Sequence, residues 1–292
     1  MGYRLRLLIS LSVDENDASF VFNQIKVLRC VIEIISFILI GGIAGVLAGL
    51  LGLGGGLVVV PLLAFILTYL DFPSSEVMRV AIATSLGTIV FTSLSSAYSH
   101  HRRGAVQWRV VWRLGLGLAL GAFCASYAVD VMPALALKFI FVVYALLVAY
   151  QLYTGFEAMP SRVLPSSGRM FGLGGLFGGV SGLVGIGGGT LVVPFLVWCN
   201  LGIRQAVATS SACGFFIAVA SVIGFVFFVQ PEADLPEGSL GYLYLPALFV
   251  IGAVSVMCAP LGASWAHRVP ADKLKQYFSF ALLMMAGLLL VS

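Results

Sequence analysis

The chain has 292 residues, 60% hydrophobic and 10% charged, with a formal net charge of +4 and a mean hydropathy of +1.07. A soluble domain carries about a quarter charged residues, so this composition calls for lipid as solvent and excludes a sizeable soluble domain. The basic residues sit in short loops between apolar runs, where they set topology rather than bind nucleic acid. The alternating pattern of a barrel is absent, which leaves a helical bundle.

Residues 1–29 read as an N-terminal arm. "YRLRLLISLSV" has a basic start and a short apolar run, but "DENDASF" follows in place of a small-residue cleavage site. An interfacial or disordered arm is expected, with no function assigned. A first transmembrane repeat occupies 30–156, with helical elements at 30–51, 58–70, 77–99, 108–130 and 133–154. An inter-repeat loop covers 157–169. A second repeat occupies 170–292, with elements at 170–186, 191–201, 204–229, 241–265 and 271–291. Most of the apolar runs reach the ~20 residues that cross a bilayer. The second element of each half is too short to span comfortably.

The halves repeat each other. Shifting the sequence by 133 aligns Gly41–Leu63 with Gly174–Leu196 at 13 identities in 23 positions, nine of them the glycines and proline of the motif. A shift of 125 aligns "RVAIATS" (79–85) with "RQAVATS" (204–210) at five of seven. This is an internal duplication. An odd number of elements per half makes the repeats inverted.

Loop charge assigns the sides. His100, His101, Arg102, Arg103, Arg109 and Arg113 crowd one loop, and His267, Arg268, Lys273 and Lys275 another. The 230–239 loop carries Glu232, Asp234 and Glu237 with no base. The basic loops are placed in the cytoplasm, with Arg162, Arg169 and Arg204. Lys26 and Arg29 then lie outside, against the rule.

The decapeptide "GLGGGLVVVP" (52–61) recurs as "GIGGGTLVVP" (185–194). Three successive glycines cost a helix about 1 kcal/mol each. The residue before proline favours extended backbone, and proline suits a first helical turn. Each motif is therefore expected to run helix, glycine break, short extended stretch, then a half-helix from near Pro61 or Pro194. Broken backbone in lipid must face protein or a water-filled cavity. Half-helix N-termini carry unpaired N–H groups and about half a positive charge. Two of them meeting near the midplane would make an anion site, built on Gly54, Gly55, Gly56, Gly187, Gly188 and Gly189. The alternative is that the glycines only permit close packing, as "GGIAGVLAG" and "GGLFGGVSG" do.

The second repeated block adds Thr84, Ser85, Thr209 and Ser210, whose hydroxyls donate to oxyanions without trapping them by charge. Hydroxyls bonded back to the helix are the alternative. Arg79 and Arg204 start their helices and either anchor topology or attract an anion at each mouth. No carboxylate is expected deep in a span, so no proton relay is read. The five cysteines show no CxxC and no paired histidine, so no metal site, disulfide framework or cofactor is expected. GxGGG matches neither a dinucleotide fingerprint nor a P-loop. No catalytic constellation lies in the spans, and no enzyme is expected.

"GLLGLGGGLVVVPLL" and "GLVGIGGGTLVVPFL", each followed by an ATS helix ("AIATSLGT", "AVATSSAC"), resemble the TauE/SafE family of sulfite exporters from about residue 36 onward. The resemblance implies an integral inner- or plasma-membrane carrier of sulfite, sulfonates or related sulfur anions. By it, Gly54–Gly56, Gly187–Gly189, Pro61, Pro194 and the ATS segments would line the central site. The fold expected is an all-α integral membrane protein of two inverted five-element repeats, each with a glycine-broken hairpin. The function expected is export of a small sulfur-containing anion across the cytoplasmic membrane by alternating access. An anion channel and an importer of an organosulfur anion are the alternatives.

Overall fold

In the computed structural model the described residues are 15–51, 55–154, 164–228, 235–266 and 271–291. They form α1 (Glu15–Leu51), α2 (Gly56–Tyr69), α3 (Val77–Arg102), α4 (Trp108–Val131), α5 (Ala134–Tyr153), α6 (Ser167–Val184), α7 (Gly189–Trp198), α8 (Ile203–Phe228), α9 (Leu245–Ala266) and α10 (Ala271–Val291). A small hairpin of β1 (Ser239–Leu240) and β2 (Leu243–Tyr244) precedes α9.

Five stretches among the described residues are long and apolar enough to cross a membrane: Val27–Ala48, Val77–Arg102, Trp108–Val131, Ala134–Tyr153 and Ile203–Phe228. Outward faces on these stretches and on α9 and α10 are apolar: Leu39, Leu116, Leu135, Phe227, Met257 and Phe280 are all exposed. Apolar residues spread over so many helices would be a liability in water and are satisfied by lipid.

Helix α1 begins at Glu15, well upstream of the expected start at 30. Nothing between 15 and 40 stops a helix, for there is neither glycine nor proline in that interval. Residues 1–14 of the expected arm lie outside the described residues.

The packing scheme follows from small residues. Helix α1 lies along α9, and α6 lies along α4. A Cβ added at Gly45 would sit 2.7 Å from Ser255 Cα, and one at Gly178 would sit 2.7 Å from Leu118 Cα. Gly41 likewise abuts Ile251, and Gly174 abuts Leu114. Gly41 and Gly45 are the positions that the 133-residue shift pairs with Gly174 and Gly178, so equivalent glycines do equivalent work in the two halves. In both contacts residue numbers rise together, so the packed helices are parallel. Ser255 adds a hydroxyl bond to the Gly41 carbonyl at 3.0 Å.

Helices α3 and α8 pair in the interior. Ser96 Oγ donates to Ser211 Oγ at 3.1 Å, and a Cβ at Gly214 would meet Ser93, so these two helices run antiparallel. Helix α3 is the most enclosed span, with 78% of its apolar window buried. Helix α5 packs on α10, α2 on α3, and α7 on α8.

The glycine breaks and what surrounds them

The second break is described throughout. Helix α6 ends at Val184, and Gly185 takes the left-handed conformation at φ +79°, which glycine adopts without a Cβ penalty. The Gly185 and Ile186 N–H groups both donate to the Ser181 carbonyl at 2.9 Å. Helix α7 then restarts at Gly189. In the first half, α1 ends at Leu51 and α2 restarts at Gly56 after Gly55. Gly54 lies outside the described residues.

The expected extended stretch is absent. Pro61 and Pro194 lie inside their helices, each at the sixth helical residue. The reason is burial. Val58, Val59 and Val60 are almost wholly enclosed, and enclosed N–H groups need partners that an extended segment there would not supply. The helix supplies them. Val58 and Val59 N–H groups donate to the Gly55 carbonyl at 3.0 Å, and Leu191 and Val192 donate to Gly188 at 3.2 and 2.7 Å. Proline this near the N-terminus sacrifices one i→i−4 bond. The resulting α2 has 14 residues, about 21 Å at about 1.5 Å per residue, longer than the half-helix read from Pro61.

The two breaks touch. A Cβ at Gly56 would lie 2.5 Å from the Gly185 carbonyl oxygen and 3.0 Å from both Ile186 Cα and Ile89 Cδ1. Gly187 faces Ile89, and Gly188 faces Ile217 and Val192. The start of α2 is thus set against the backbone of the second break, while the start of α7 meets apolar side chains, with Ile89 of α3 and Ile217 of α8 among them. No charged side chain is among these contacts.

The repeated hydroxyls divide by role. Ser85 Oγ donates to the Gly185 carbonyl at 2.9 Å, so it ties α3 to the second break. Its counterpart Ser210 is 1% exposed, and its Oγ has no hydrogen-bond partner among the described residues. Thr84 Oγ1 accepts the Tyr244 N–H at 3.0 Å and donates to the Tyr242 carbonyl at 3.4 Å. Thr209 Oγ1 accepts the Gln107 N–H at 3.1 Å. Equivalent threonines therefore hold the segments entering α9 and α4. Thr209→Val should leave the half-buried Gln107 amide without this partner and cost about 1 kcal/mol of stability, read as a lowered melting temperature in detergent. An unchanged melting temperature would show that this bond contributes nothing.

The two arginines differ. Arg204 is exposed in the first turn of α8. Arg79 is buried and donates to both Glu76 carboxylate oxygens at 3.1 and 3.2 Å and to the Met132 carbonyl at 3.1 Å. Its guanidinium also lies 5.8 Å from the Tyr242 ring centroid. Tyr242 in turn donates to Asp130 Oδ1 at 2.9 Å. Burial, and then that hydrogen bond, hold the Tyr242 phenol above its ordinary range, so it remains a donor at neutral pH.

Sequence reasoning passed over Glu76, which is 0% exposed, because it sits in "DFPSSE" and reads as linker. The signal was its i,i+3 spacing to Arg79. It also passed over Tyr144 and Thr190, whose hydroxyls bond to each other between α5 and the first turn of α7. A hydroxyl at the second helical residue of α7, where the first half has Leu57, was the available clue.

A bundle with apolar outer faces, interior helix breaks and a backbone-lined junction defines a multi-pass transporter of the cell membrane. The chain belongs to the TauE/SafE sulfite exporter family, whose pattern it matches over residues 37–289. It is 34% identical over 252 residues to a probable membrane transporter protein of Haemophilus influenzae, covering 85% of this chain and 95% of that one. It is 26% identical over 249 residues to a probable membrane transporter protein of Methanocaldococcus jannaschii, covering 84% and 91%. A third, from Bacillus subtilis, is 29% identical over 262 residues, covering 87% and 98%. No solved structure matches the chain.

Proposed function

We propose that the protein exports a sulfur oxyanion, sulfite or an organosulfonate, by alternating access between two inverted repeats, 30–156 and 170–292. The observation that carries this reading is the apposition of Gly56 with Gly185 and Ile186. It brings the glycine breaks of both halves, and with them the N-terminal end of α2, to one place. Such ends favour negative charge. The anion is bound by backbone N–H groups of residues 55–56 and 187–188, with the Ser210 hydroxyl, which has no partner among the described residues, as a further donor. The N–H of Gly189 is taken by the Gly187 carbonyl, and Gly54 lies outside the described residues. Arg204 stands at the basic-loop mouth, where it raises the local anion concentration. Ser85, Thr84, Thr209, Pro61 and Pro194 shape the site by holding or starting its elements.

The matching glycine contacts of α1 with α9 and α6 with α4 support the inverted repeat, since equivalent residues make equivalent contacts across the halves. Rocking one repeat against the other would then expose the junction to each side in turn. Moving an anion out of a negative-inside cell is downhill by ~2.3 kcal/mol per charge per 100 mV, so export needs no buried carboxylate for coupling.

The test is a thermal-shift panel on purified protein with sulfite, sulfate, thiosulfate, taurine, sulfoacetate, sulfolactate and chloride. Stabilisation by one sulfur anion above sulfate and chloride is expected. With ligand at 100 times its Kd the expected gain is about 2.7 kcal/mol. An equal response to every anion would reject a selective sulfur site.

A further inference from the structure

The two halves use the same device to hold the segments entering α4 and α9, but only one of the two ends has a buried ion pair beside it among the described residues. Thr84 holds the Tyr244 amide at one end, and Thr209 holds the Gln107 amide at the other. Beyond this tie the ends diverge. At the first, Glu76 and Arg79 pair inside the protein, Arg79 reaches the Met132 carbonyl, and Tyr242 bridges from Arg79 to Asp130. At the second, the counterpart of Glu76 is Leu201, and Arg204 is exposed. Aligning Gln107 with Tyr244 puts Ala105 opposite Tyr242. A buried ion pair is costly to assemble and contributes little net stability, so a buried ion pair kept in only one of two repeats points to a role in specificity or switching.

The connectivity says which contact matters. Glu76 and Arg79 lie one turn apart on α3, so their pair survives any rigid movement of the repeats. Met132 and Asp130 belong to the end of α4, in the same half. Tyr242 comes from the second half, at the tip of the β1–β2 hairpin, where Gly241 at φ +56° turns the chain. Its side chain is 0% exposed. Opening this end requires the hairpin to leave Thr84 and the Tyr242 side chain to leave both Arg79 and Asp130.

We propose that Tyr242 is an inter-repeat bolt, seated on the Glu76–Arg79 pair and Asp130, that holds this end of the transport path closed and sets the resting state open toward the basic loops. It is a positioning residue, since it acts on the equilibrium between states and does not touch the glycine junction. The proposal rests on the alternating-access reading above.

The test uses Tyr242→Phe, which keeps the ring under Arg79 and removes only the bond to Asp130, with Asp130→Ala, which removes the acceptor, as the second variant. Sulfite transport is measured from each face in right-side-out and everted vesicles. A bolt that keeps the bolted side rarely open weakens apparent affinity there by the open fraction. Both variants should therefore lower the apparent KM from the bolted face by roughly three- to tenfold and leave the opposite face unchanged. Equal changes from both faces, or none, would overturn the bolt. Hydrogen exchange on the substrate-free protein in nanodiscs is the second arm. Exchange across 239–245 should quicken in both variants while 104–108 keeps its wild-type rate. A hairpin as protected as in the wild type, or an equal rise at both ends, overturns the bolt in this arm too. If the wild type moves no sulfur anion at all, the transport reading fails, and the exchange arm still decides the bolt.

Discussion

Gly56→Ala is expected to abolish transport in a protein that still inserts and purifies as a folded species. The added methyl would lie 2.5 Å from the Gly185 carbonyl oxygen and 3.0 Å from Ile186 Cα. Both are backbone atoms, so neither can swing aside as a side chain would. Gly185 is itself fixed, by its left-handed conformation and by the Ser85 hydroxyl on its carbonyl. The two breaks must then separate. The over-packing costs about 1–3 kcal/mol, which a folded bundle survives. A backbone-lined anion site does not survive it, because its donors move with the backbone. Gly188→Ala is the contrast. There the methyl would meet Ile217 Cδ1 at 3.0 Å and Val192 Cγ2 at 3.1 Å, both ends of side chains. Measurable flux should remain in that variant. Efflux of sulfite from proteoliposomes, normalised to monodisperse protein, checks both. Wild-type flux in Gly56→Ala would show that the junction is packing and not site.

Much of this arrangement can be read from the sequence. Hydropathy and loop punctuation locate the ten helices of the described residues, with Gly185 and the glycine triplets marking the interior breaks. What the sequence hides is set by partners far along the chain. The register of Pro61 depends on the enclosure of Val58–Val60, which forces their amides into a helix against the local preference of the residue before proline. The commitments of Thr84 and Thr209 to Tyr244 and Gln107 cross more than a hundred residues, so repetition of the ATS block shows that these hydroxyls matter but not to what. Glu76 looks solvated because its neighbours are polar. Its burial comes from packing that no local window contains. The start of α1 is hidden for the opposite reason: its first residues are polar and read as an arm, yet from Glu15 onward nothing among them breaks a helix.

Gly178→Leu is the substitution expected to cost most stability. Helices α4 and α6 approach so closely that glycines from both sides face the opposing backbone: Gly117 meets Phe171 and Gly175, Gly121 meets Gly175 and Gly179, and Gly178 meets Leu118. Without a hydrophobic drive between helices in lipid, association rests on such contact and the dispersion it allows. At Gly178 a single Cβ already stands 2.7 Å from Leu118 Cα, and leucine adds three further carbons with nowhere to go. The helices must part along their length, which exposes the small-residue faces of both. The expected loss is about 3 kcal/mol or more, at the upper end of over-packing effects and a large part of the about 5–15 kcal/mol that holds a typical domain. Gly172→Ala, on the same helix with nothing within 4 Å of its Cβ, should be neutral or stabilising by about 0.5–1 kcal/mol through helix propensity. Melting in detergent separates the two. Gly178→Leu should aggregate or melt far below the wild type, whereas Gly172→Ala should match or exceed it. If both variants melt alike, α4 and α6 are held by something other than glycine contact. The same comparison at Gly45 and Gly42 of α1, where Gly45 faces Ser255 and Gly42 has nothing within 4 Å, then tests whether the second half's partner helix α9 obeys the same rule.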